Sequence, residues 1–137
     1  MSTNPANRLT GWIDNRRRPL VNLRIGDDET VCALVDTGFN GYLLWEGSVR
    51  GQSGFPGELS PLYRPIEVAG GKVLANLGMI TIQWFHDLIS IETLVATTTA
   101  KQHRSGDPVL FIGTALLSGM SLFVDFLNGS VHIERSR

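Results

Sequence analysis

The chain has 137 residues, 42% of them hydrophobic and 18% charged, a size and balance that suit one folded domain with its own core and exclude a disordered chain. A formal net charge of −1 excludes the broad basic field that holds phosphate polymers or anionic lipid, so neither nucleic acid nor a membrane is expected as a partner. The single cysteine, Cys32, excludes an intrachain disulfide, and within "TVCALV" it reads as a small buried apolar residue of a protein from a reducing compartment.

In chain order, residues 1–18 are polar, with Asn, Pro and Arg scattered among them, and are expected to form an N-terminal arm. They lack the apolar core of a signal peptide, and no run of about 18 apolar residues offers a membrane span, so a cytoplasmic location is expected. Arg16, Arg17 and Arg18 read as a solvated linker before the ordered domain, 19–137. There "LVNLRI" alternates apolar and polar residues, "GDDE" is a turn and "TVCALV" is β-branched and apolar, which predicts a β-hairpin. Asp36 falls where its second strand stops.

The stretch "EGSVRGQSGFPGELSP" is broken repeatedly by Gly and Pro and predicts an irregular surface loop. "RPIEVA" and "KVLANLGMITIQW" flank Gly70-Gly71, a pair suited to the positive φ of a tight turn, so a projecting hairpin is expected. "DLISIETLVA" is a further strand, "TTTAKQHRSGDP" a polar loop and "VLFIG" a short apolar strand. "TALLSG" is the one helix candidate, with Thr114 to cap it and Gly119 to end it. "SLFVDF" and "VHIER" flank Asn128-Gly129, a strong hairpin signal. The expectation is an all-β, barrel-like fold with one short C-terminal helix.

Most reaction chemistries lack their residues. His86, His103 and His132 show no i, i+4 pairing, so no metal is expected, and "GQSGFPG" contains no lysine to serve a phosphate loop. There is no G-x-S-x-G elbow, and Cys32 sits mid-strand rather than at a helix N-terminus. No cofactor is expected. What remains is Asp36-Thr37-Gly38, which alone is an ordinary turn sequence. Its context sets it apart, because an apolar strand delivers the aspartate and a second apolar strand ends at Gly113.

Together "ALVDTGFNGYLLW", "VAGGKV" and "LFIGTALLSGMSLFVDF" resemble, in order, the active-site loop, flap and late glycine motif of the retropepsin-like (clan AA) aspartic proteases, in particular their small bacterial single-domain members. The resemblance implies a small closed acid-protease barrel that forms a homodimer, with an extended peptide or protein as substrate. It implies that Asp36 is catalytic, that Thr37 ties the two active-site loops together and that Gly38 admits substrate backbone. It also implies that Phe39 and Asn40 contact substrate, with the bulky Phe39 either narrowing the cleft or simply packing into the barrel, and that Ala69, Gly70 and Gly71 form the flap tip. The chain length agrees independently: the chemistry needs two carboxylates, and one Asp-Thr-Gly in a chain too short for two lobes requires a second copy.

The pattern departs from the viral enzymes at Phe39, Asn40 and Gly41, where those commonly have a small Ala followed by acidic residues, and at Thr114, which stands where they place an Arg. Two other functions stay open on sequence grounds: a dimeric peptide-binding module without hydrolysis, and a monomeric structural barrel.

Overall fold

The computed structural model describes residues 7–26, 29–46, 55–68, 71–96 and 108–136. They contain the strands β1 (Arg8–Ile13), β2 (Pro19–Ile25), β3 (Glu29–Val35), β4 (Leu43–Glu46), β5 (Glu58–Val68), β6 (Gly71–Trp84), β7 (Asp87–Ala96), β8 (Leu110–Ile112), β9 (Ser121–Asp125) and β10 (Ser130–Glu134). All belong to one sheet in the order β5-β6-β7-β4-β8-β3-β2-β1-β10-β9. A further pairing of β2 with β6, Arg24 opposite Gln83 and Ile25 opposite Ile82, closes β2, β3, β8, β4, β7 and β6 into a six-stranded barrel. Closure removes the open edges those strands would otherwise present.

Period-two burial produces the core. Along β2, Val21, Leu23 and Ile25 are buried while Asn22 and Arg24 are exposed, because successive side chains point to opposite faces of a strand. With Leu43, Ile82, Leu110, Ile112, Val131 and Ile133 they fill the main core. The β3–β8 and β4–β7 pairs are parallel, and β4 lies antiparallel to β8. These pairings set the end of β3, and hence Asp36, beside the end of β8.

Three local expectations change. Residues 8–13, within the expected polar arm, form β1, paired with β2 on one side and β10 on the other, and Leu9 and Ile13 pack on the main core. The Arg run after it is a tight turn: Asp14 Oδ1 accepts the Arg16 and Arg18 N–H groups, each at 2.9 Å, and Arg18 Nε donates to Oδ2 at 2.9 Å. The end of the expected glycine-rich loop, Glu58 onward, is the start of β5, with a register shift between Leu59 and Tyr63; Gly47–Gly54 lie outside the described residues.

The third change is the helix, since none occurs among the described residues. Thr114–Gly119 is a run of turns closed by Leu116 N–H to Gly113 carbonyl at 3.2 Å and Met120 N–H to Leu117 carbonyl at 2.9 Å. Between Gly113 and Gly119 (φ 78°) the segment is too short to offset the cost of nucleating an α-helix. Among the described residues no helix is long and apolar enough to cross a membrane.

Candidate active site

β3 brings buried Val35 to the barrel end, and the ladder to β8 runs one residue further, with Asp36 N–H donating to the Ile112 carbonyl at 2.9 Å. The chain then turns. Asp36 Oδ1 accepts the Gly38 N–H at 3.0 Å and the Asp36 carbonyl accepts the Phe39 N–H at 3.1 Å, the side-chain-to-backbone closure that favours aspartate in turns. A Cβ at Gly38 would stand 3.3 Å from Asp36 Oδ1, so glycine keeps the space beside the carboxylate open. Asp36 is half-buried while Thr37 and Gly38 are exposed. The strand thus hands a carboxylate to the surface with its backbone fixed.

A second loop locks the first. Gly113 N–H donates to the Tyr42 carbonyl (2.9 Å) and Ala115 N–H to the Gly41 carbonyl (3.2 Å). Thr114 gives the Phe39 carbonyl two hydrogen bonds, from its N–H at 2.8 Å and from its Oγ1 at 3.3 Å. Thr114 therefore caps no helix; at the position of the missing arginine it makes a neutral bridge between the two loops.

Phe39 turns inward. Only 9% exposed, it belongs to a second, smaller cluster with Leu44, Ile66, Ala75, Leu94 and Ala96. Asn40 is exposed, and Gly71 opens β6 with φ 137°. Ala69 and Gly70, the expected flap tip, lie outside the described residues. The structure thus brings Asp36, Thr37, Gly38, Phe39 and Asn40 into one loop against Gly113 and Thr114. Ile66 and Ala75, on the two strands of the hairpin, were not among the expected site residues, and Gly41 had no expected structural role; a glycine two residues after a bulky side chain was the available signal for Gly41.

Elsewhere, Cys32, expected to be buried, is only half-buried, and that partial burial pushes its thiol above the ordinary range, which favours the protonated form. Among the described residues no three His, Cys, Asp or Glu side chains gather as a metal site, and His103 lies outside them.

No family model matches the chain, and no curated protein matches it. A solved structure similar to this one is EIAV protease complexed with the inhibitor HBY-793, 20% identical, with the match covering 76% of this chain and 88% of that chain at a TM-score of 0.49.

Proposed function

We infer that the chain is an aspartic endopeptidase whose working form is a homodimer, each copy supplying one Asp36. The observation that supports this most is the Asp36-Thr37-Gly38 turn itself: a buried strand delivers it, and the Gly113–Ala115 loop cross-braces the residues that follow. Such fixed backbone is what a carboxylate needs to meet its own copy across a two-fold axis.

Two carboxylates within hydrogen-bond distance cannot both ionise readily, so such a pair retains one proton. The ionised Asp36 takes a proton from a water lying between the two as that water attacks the scissile carbonyl. The protonated Asp36 supports the developing oxyanion, and the amide nitrogen then leaves protonated. Substrate lies as an extended segment between the active-site loop and the β5–β6 hairpin. The burial of Phe39 in one cluster with Ile66 and Ala75 of that hairpin is the observation that favours a second reading, a module that binds peptide without cutting it.

Incubation with an unfolded protein distinguishes the two. The wild type should cleave it, and Asp36→Asn should lower kcat by at least about a thousandfold, since it removes the group that activates the water. An Asn variant that cleaves as fast as the wild type would overturn the assignment.

A further inference from the structure

The turn that carries Asp36 is held at both ends by one short stretch of chain. At its start, Asp36 N–H donates to the Ile112 carbonyl at 2.9 Å. At its end, the Phe39 carbonyl accepts the Thr114 N–H at 2.8 Å and the Thr114 Oγ1 hydroxyl at 3.3 Å. Inside the turn, Phe39 N–H donates to the Asp36 carbonyl and Gly38 N–H to Asp36 Oδ1. Ile112 and Thr114 lie two residues apart, so residues 36–39 span two fixed points at the end of a single strand. Of the bonds joining the two loops, the one from Thr114 Oγ1 alone comes from a side chain. Any residue but proline at 114 would supply the N–H, whereas the hydroxyl depends on threonine or serine. Thr114 is half-buried, which limits competition from water, and β-branching restricts its rotamers, so the hydroxyl stays aimed at little entropic cost.

We propose that Thr114 is a positioning residue for hydrolysis: its hydroxyl, by holding the Phe39 carbonyl, fixes the far end of the turn and with it the place of the Asp36 carboxylate in the pair. This rests on the endopeptidase reading and deepens it. A misplacement of about 1 Å at a reacting group can cost about a hundredfold in rate, so loosening one of the two anchors is read in kcat. Thr114 acts through Asp36 and not on the peptide, so KM should change little. Two carboxylates share one proton over a pH range that is widest when they are held closest. A turn freed at one end lets the pair separate and narrows that range.

The test uses the full chain at concentrations where sedimentation shows the dimer, with one peptide that the wild type cuts. Thr114→Val replaces the hydroxyl by a methyl of nearly the same volume. It should lower kcat about tenfold, the scale of one lost hydrogen bond, leave KM within about twofold and narrow the pH range of activity. Thr114→Ser keeps a hydroxyl on a less restricted side chain and should return kcat to within about threefold of the wild type, with the wild-type pH range. Thr114→Ala removes the same hydroxyl without adding bulk and gives the same reading if the Val variant does not fold. A hydroxyl-free variant that loses stability or dimer but keeps the wild-type kcat per dimer and pH range overturns this inference, as does a Ser variant as slow as the Val variant. Either result leaves the endopeptidase reading standing. Absence of any cleavage by the wild-type dimer overturns that reading and this inference with it.

Discussion

At Gly41 a Cβ would lie 2.5 Å from Phe39 Cζ, with two more ring carbons within 3.2 Å, so the three nearest atoms all belong to the ring. At Gly113 the added atom would meet Phe39 Cδ2 at 2.5 Å and also the backbone carbonyls of Gly41 and Phe39. The nearest obstacles at 41 are thus ring carbons, and those at 113 are the ring and the crossing backbone. A double-mutant cycle separates these causes. Gly41→Ala should cost about 1–3 kcal/mol of unfolding free energy by overpacking, and Phe39→Ala about 3–5 kcal/mol by leaving a cavity. In the double variant the Gly41 penalty should vanish, giving a coupling above about 1 kcal/mol in denaturant unfolding; additive costs would contradict the packing described. The place of Asp36 at the end of β3 was legible from the apolar strand and the Thr-Gly after it, which are local signals. The position of the Phe39 ring was not, because it depends on Ile66, Ala75 and Leu94, residues brought in by pairings far along the chain.

Elements whose signal is periodic were the most legible. Asn128-Gly129, with φ 72° at the glycine, turns β9 into β10 as the dipeptide predicts, and β2 and β3 pair around Gly26 with the expected alternation. β1 was hidden because its apolar residues are few and its stability comes from ladders on both flanks. Its turn is held by Asp14, whose burial would raise the carboxyl's pKa but is outweighed by hydrogen bonds from the Arg18 backbone and side chain and from Arg16, which hold it below the ordinary carboxylate range. A carboxyl whose pKa is lower folded than unfolded stabilises the fold above its unfolded value, and that contribution is lost as pH falls through the folded value. Asp14→Asn should thus destabilise the chain by about 1–2 kcal/mol at neutral pH, the worth of hydrogen bonds to a charged group. In urea unfolding from pH 7 to pH 3, the gap between wild type and variant should close as the solution passes below the ordinary Asp value of about 3.9. A gap that stays constant with pH would show that the charge plays no part.

For the whole molecule, the all-β class follows from apolar alternation along the chain, whereas barrel closure rests on the short β2–β6 contact at Arg24 and Ile25, which no local pattern announces. Closure and the loop cross-bracing leave each chain with one turn-held carboxylate from Asp-Thr-Gly at the barrel end. If a second copy completes the site, activity must depend on association. The decisive measurement is specific activity on an unfolded protein substrate against total chain concentration, with sedimentation run on the same samples. Activity per chain should rise with the fraction of dimer, and adding Asp36→Asn chain to a fixed amount of wild type should suppress activity through mixed pairs. Specific activity that is independent of concentration in a chain that sediments as a 15.0 kDa monomer would contradict it.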